Sequence, residues 1–155
     1  MAVRAIEPRS ATQPTVGVLQ ALLVDLVALS LETKQAHWNL TGPLFQPLHE
    51  LFDRFTDTYR EWYDEVAERL RALGVPADGR PATVAATTKV GELPGGLVSD
   101  RDALQAVLAQ IEGVAARLRE RLPALGEDDP ATQDLAIAIV RGLEKQAWML
   151  RATAA

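Results

Sequence analysis

HWNLTGPLFQPLHELFDRFTDTYREWYDEVAE, residues 37–68, holds both histidines of the chain, His37 and His49, and three acids, Asp53, Asp64 and Glu68. Imidazole nitrogen and carboxylate oxygen together suit a first-row transition metal. From Leu44 to Leu73 the pattern predicts one long helix: Gly42-Pro43 interrupts what precedes it, and Gly74 followed by Pro76 ends it. At about 100° per residue, with His49 at zero, Asp53 falls near 40°, Asp64 near 60° and Glu68 near 100°. Four potential ligands therefore share one helix face.

Along the axis they separate into two i,i+4 pairs, His49 with Asp53 and Asp64 with Glu68. The nearest members, Asp53 and Asp64, are roughly 16 Å apart at 1.5 Å rise per residue. Metal–ligand bonds run only about 2.0–2.2 Å, so one ion cannot bridge both pairs of one straight helix. Two copies of the helix, laid antiparallel about a two-fold axis near residues 58 and 59, remove the difficulty. His49 then faces Glu68 of the partner subunit and Asp53 faces Asp64 of the partner subunit, giving two equivalent sites per dimer as an isologous interface requires. Taken singly, each residue has a plainer reading: a carboxylate pair on a helix is ordinarily a solvated face, and a histidine among apolar residues is ordinarily core.

Upstream, a helix is predicted to begin near Pro14-Thr15. It carries Leu19, Leu22, Leu23, Leu26, Ser30, Thr33 and His37 on one stripe and ends at Leu40–Gly42. Downstream, residues 74–98 are rich in Gly, Pro, Ala and Thr and too long for a tight turn. They suit a crossover along a bundle, with a short helix at Ala82–Thr88. Ser99 and Asp102 resemble a capping box; the helix that follows presents Leu104, Val107, Leu108, Ile111, Ala115, Leu118 and Leu122 and is expected to stop before Pro123–Gly126. Asp129-Pro130 opens a last helix with Leu135, Ile139, Leu143, Ala147 and Leu150 on its core face. The expected architecture is all-α: a tail over 1–13, a four-helix bundle over 14–151 with one long crossover, and a short tail over 152–155. Short links at either side of one long link match the ferritin-like bundle topology.

The remaining composition narrows the function classes. A chain of 155 residues with 48% hydrophobic and 24% charged residues is long enough to bury a core as one domain. No uninterrupted apolar run reaches 18 residues, so no membrane-spanning segment is expected. MAVRAIEPRSATQP at the start lacks the apolar stretch of a secretory signal. With no cysteine there is no disulfide, thiol redox chemistry or thiolate metal site, which is compatible with the cytoplasm. The net charge of −5 repels phosphate and attracts cations, so composition gives DNA binding no support.

The run AHWNLTGPLFQPLHELFD, followed by YDEVAERL and by an ending in LEKQAWMLRA, resembles the Dps family (DNA-binding proteins from starved cells, or mini-ferritins) along essentially the whole chain. The resemblance rests on the ligands together with Trp38, Asn39, Gly42, Phe45 and Phe52. It implies a hollow dodecamer of ferritin-like four-helix subunits built from two-fold dimers. The implied activity is a ferroxidase that oxidises Fe(II) to Fe(III), preferably with hydrogen peroxide, and stores the ferric mineral, with no organic cofactor. The implied site is His37, His49 and Asp53 of one subunit with Asp64 and Glu68 of the other, in agreement with the antiparallel pairing. Trp38 reads either as an electron donor beside the iron or as an amphipathic ring at an interface. No Glu-x-x-His occurs, which argues against the di-iron site within one bundle of a classical ferritin. Among the acids Glu127, Asp128, Asp129 and Asp134, the resemblance points to Asp129 and Asp134 as lining three-fold pores, while helix capping and the dipole explain them equally well. The family's DNA-binding tails are lysine-rich and this one has no lysine, so DNA contact is expected to be weak or absent; the alternative is a nucleoid-associated, DNA-compacting protein with little ferroxidase activity.

Overall fold

The structure, a computed structural model, describes residues 12–154. Five helices and one minimal parallel strand pair make up the described residues: α1 (Gln13–Asn39), β1 (Leu40–Thr41), α2 (Phe45–Ala72), α3 (Pro81–Thr87), β2 (Val98–Ser99), α4 (Asp100–Asp128) and α5 (Pro130–Ala154). Four long helices pack as a bundle and α3 rides on the crossover between α2 and α4. This is the ferritin-like arrangement. Of the tail expected over 1–13, only Thr12 and Gln13 are described, as the N-cap and first residue of α1; residues 1–11 lie outside the described residues.

The apolar stripes pack as their spacing predicts. Leu19, Leu22, Leu23 and Leu26 of α1 meet Leu48, Phe52, Phe55 and Tyr59 of α2 and Leu104, Val107, Ile111 and Leu118 of α4 in one core. α1 contains an 18-residue window of mean hydropathy 1.8, long and apolar enough by composition to cross a membrane. Asp25 interrupts the strict apolar run, so the window average reveals what an uninterrupted count misses. In the bundle 56% of that window is buried, and its apolar character is that of a core helix. Tyr59 is wholly buried and donates its hydroxyl to Gln146 Oε1 at 2.8 Å, while burial pushes its phenol pKa up. Trp62 packs against Gly142 of α5, where a Cβ would come 2.3 Å from its Cζ2.

The crossover is pinned to α1 by side chains in register. Gln20 exchanges two bonds with the Asp78 backbone, Asp25 accepts from Thr88 Oγ1 and Lys89 N at 2.9 Å each, and Glu32 accepts from Leu93 N at 2.7 Å. The segment thus runs back alongside α1, making α2 and α4 parallel, and β2 arrives beside β1 to pair Leu40 with Val98.

Two helix ends differ from expectation. α4 does not stop before Pro123 but continues through Pro123 and Gly126 to Asp128. Proline removes one donor, and nearby Gln133 of α5 turns its Nε2 onto Leu122 O at 3.0 Å. Gly126 leaves room for that amide, since a Cβ there would meet it at 2.4 Å. α5 likewise continues to Ala154, so the described part of the expected C-terminal tail is helical.

Candidate metal centre

His37 occupies the last turn of α1 and His49 the second turn of α2, so the corner between them sets their meeting. That corner is tight. Gly42 takes φ 136°, a conformation that favours glycine, and a Cβ there would come 2.5 Å from Asp100 Oδ2. Asp100 is buried at the start of α4 and accepts the Leu44 amide at 2.6 Å, tying the corner to α4. The β1–β2 pairing holds the same corner from the other side.

The two imidazoles stack with ring centroids 3.6 Å apart and planes inclined by 16°. Their backbone bonds are reciprocal. His37 Nδ1 lies 2.7 Å from His49 O, and His49 Nδ1 lies 2.8 Å from His37 O. A carbonyl oxygen can only accept, so each Nδ1 carries the proton and donates, and each Nε2 keeps a lone pair. This is the arrangement by which an outer hydrogen bond fixes the tautomer and orientation of a metal-binding histidine. Phe45 covers the other face of His49 at 5.0 Å.

Asp53 follows His49 by one turn and is half-exposed. The Lys34 ammonium contacts its Oδ1 and holds its carboxyl below the usual carboxylate range; partial burial opposes this, and the Lys34 charge adds a smaller lowering. His37, His49, Glu50, Asp53, Arg54 and Asp57 line one shallow depression. Lys34 escaped the sequence reading, although its position three residues before His37 places it on the same helix face.

Asp64 and Glu68 are exposed on the same face of α2, farther along the helix, with no hydrogen bond or ion pair to the described residues. Among those residues no three His, Asp or Glu side chains converge on one point. A single chain therefore pairs His37 with His49, sets Asp53 on the lining of the same depression, and leaves Asp64 and Glu68 apart. Three large apolar side chains of α1 and α2 are exposed on the described chain. Leu31 and Trp38, two turns apart on α1, are 61% and 64% exposed, and Phe45 is 43% exposed.

At the opposite end of the bundle the acids are differently placed. Asp129 is only 2% exposed, and its Oδ2 accepts from Arg69 Nη2 and Thr132 Oγ1 at 2.5 Å each. Asp129 is thus engaged within its own chain, whereas Asp134 is exposed. Asp128 Oδ2 accepts from Thr12 N, Thr12 Oγ1 and Thr15 Oγ1, which lowers its carboxyl pKa. A groove of about 460 Å³ between α1 and α4 contains no histidine; its one buried acid, Asp25, is saturated by Thr88, Lys89 and Arg117.

Comparison with known proteins points the same way. The ferritin-like domain family matches residues 17–155. DNA protection during starvation protein 2 of Deinococcus radiodurans is 38% identical over 89% of this chain, which spans 57% of that protein's length. The DNA protection during starvation protein of Agrobacterium fabrum is 37% identical, covering 94% of this chain and 90% of the relative. Among solved structures, Dps from Microbacterium arborescens in the high iron form superposes with a TM-score of 0.86 at 33% identity, over 94% of this chain and 98% of that one. The Dps protein of Vibrio cholerae, described as a member of a broad superfamily of ferritin-like diiron-carboxylate proteins, gives 0.85 at 25% identity, over 92% of this chain and 90% of that one.

Proposed function

Since the chain belongs to the Dps family of ferritin-like proteins, we propose that it oxidises Fe(II) at sites shared between two subunits, with hydrogen peroxide as oxidant, and stores the ferric product inside a closed shell. The observation that carries this reading is the reciprocal histidine pair, with two Nε2 lone pairs held beside Asp53. His37, His49 and Asp53 supply half a cradle, and Asp64 and Glu68 of the partner subunit supply the rest. The donor set is of the right chemical kind, since imidazoles and carboxylates bind Fe(II), and the carboxylates hold the more highly charged Fe(III) better still.

Iron is the substrate, and the balance is simple. Two Fe(II) ions each lose one electron, the O–O bond of one peroxide breaks, two protons are taken up, and two water molecules leave. The chain's part is to bring the two ions together so that peroxide is consumed two electrons at a time. Trp38, next to His37 and exposed, stands where a stray one-electron oxidant would meet an electron donor; once a partner covers it, it also seals the site from water. Twelve subunits built from two-fold dimers would enclose the mineral. Asp134 is the acid that the exposed surface offers to an iron-conducting pore. The cysteine-free chain fits the cytoplasm, and its acidity favours weak or absent DNA contact.

The test is Fe(II) loss on addition of peroxide, followed beside a sizing run. The protein should form a shell and oxidise more iron than one equivalent per site, and a variant carrying His37→Ala and His49→Ala should lose the rapid phase while still assembling. Equal rates in both proteins would end the proposal. A gel shift at two salt concentrations addresses the other reading: tight duplex binding at physiological salt would favour a DNA-compacting protein.

A further inference from the structure

We propose that Asp57 and Arg60 set the register of the two-fold interface, Asp57 of each subunit pairing with Arg60 of the partner subunit around the axis. The inference rests on the shared-site reading above and assigns the charges that align its two halves. α2 is unbroken from Phe45 to Ala72, so positions on one face can be laid against a second copy by counting. His49 and Glu68, Asp53 and Asp64, and Asp57 and Arg60 all share one midpoint, between residues 58 and 59. With His49 at zero, Asp57 falls at about 80° and Arg60 at about 20°, within the sector spanned by the four ligands. An antiparallel copy that completes the metal cradle therefore brings Asp57 against Arg60 of the partner subunit as well.

Neither charge is committed within its own chain. Their side chains are 70% and 62% exposed, and their mutual contact is an i,i+3 approach of 3.9 Å, which contributes little on a solvated surface. Asp57 borders the depression that holds His37, His49 and Asp53, so this pair lies between the two cradles of the dimer. With Arg54 at its edge and Arg71 near the far end of α2, the face also carries the acids Glu50, Asp53, Glu61, Asp64 and Glu68. Bound cations would offset them at the cradles. At the axis the offset has to come from the chain, and Arg60 supplies it there, giving alternating signs around the two-fold. A register lengthened by one turn would move Arg60 from Asp57 to Glu61 and set Asp57 against Asp64 and Asp53 against Glu68, two acid-on-acid pairs. Electrostatic complementarity of this kind fixes alignment and rejects the wrong docking.

The test is charge reversal in the full chain, read by sedimentation equilibrium without metal and by Fe(II) oxidation with peroxide. D57R surrounds the axis with four cations and R60D with four anions. Each should raise the dissociation constant of the two-fold contact by about a hundredfold and lower iron oxidation at dilute protein. The double variant D57R/R60D should recover both to within about tenfold of the wild type. Singles that assemble like the wild type, or a double variant no better than the singles, would overturn the proposal while leaving the iron reading intact. A wild-type protein that stays monomeric at micromolar concentration and does not accelerate iron oxidation would remove the shared site, and the pairing with it.

Discussion

Both ends of the bundle bring carboxylates against cations and hydrogen-bond donors, yet they use them in opposite ways. At the histidine end, Asp53 meets Lys34 on the surface, both imidazoles leave a nitrogen open, and two of the three acids expected at the site, Asp64 and Glu68, sit bare on α2. At the far end, Arg69 and Thr132 close on Asp129 in the interior, and three donors of Thr12 and Thr15 converge on Asp128. The first end leaves its imidazole nitrogens and two carboxylates open; at the second, the chain's own donors fill the acids. Acids and cations meet at both ends, so burial and partner count, rather than the presence of acids, set the two apart.

The largest expected effect sharpens the first half of that contrast. His49→Ala and Glu68→Ala lie more than five helical turns apart, so within one chain they should be unrelated. If each site takes one residue from each subunit, both variants lose nearly all fast iron oxidation. Co-refolding equal amounts should then return roughly a quarter of the wild-type sites: half the dimers are mixed, and each mixed dimer has one intact site of two. A mixture as inactive as its components would break the shared-site account.

Next in size is a stability effect at the far end. Arg69→Ala takes a guanidinium away from the buried Asp129 carboxylate. Removing one partner of a buried pair costs roughly 3 kcal/mol, to be read from denaturant unfolding, while iron oxidation per folded protein should be unchanged. The same experiment at the histidine end should reverse the outcome. Lys34→Gln frees an exposed carboxylate, so stability should hardly move and Co(II) affinity, measured by titration of its visible absorbance, should rise by about threefold because a competing ammonium has gone. An affinity that falls instead would mean that Lys34 supports the site.

Much of this contrast was legible in the sequence, and the reason lies in periodicity. Helical spacing fixes which residues share a face, so the bundle, the crossover with its short helix, and the alignment of His49, Asp53, Asp64 and Glu68 follow from counting. What counting cannot supply is the approach of two helices. The reciprocal Nδ1–carbonyl bonds of His37 and His49 depend on the Gly42 corner and its latch to Asp100, which are distant in sequence. Asp129 read as a candidate pore acid because nothing local announces Arg69, sixty residues earlier. Asp25 did carry a signal: an acid inside ALLVDLVALSL, if buried, has to find donors, and it finds them on the crossover and α4. Pro123 misled because packing can carry a helix past a proline: α4 runs on to Asp128, with Leu125 buried beyond the proline.

The smallest effect tests whether the far end is closed by charge or merely by hydrogen bonds. Asp128 takes bonds from Thr15 first and Thr12 next, and its folded carboxyl pKa is lowered against them and only partly restored by burial. A depressed folded value means that the ionised carboxylate stabilises the start of α1 fully above the unfolded pKa, and that this contribution is lost as pH falls through the folded one. With an ordinary Asp value of about 4, the first turns of α1 should hold their amide protection near neutrality and lose it selectively in more acidic solution. Hydrogen exchange of residues 16–19, compared with the middle of α1 at each pH, reads this directly. Asp128→Asn keeps an acceptor oxygen but not the charge, so its α1 start should be slightly looser at neutral pH and indifferent to acid. If the wild type and the Asn variant respond alike, charge plays no part at this joint, and the two ends differ in burial alone.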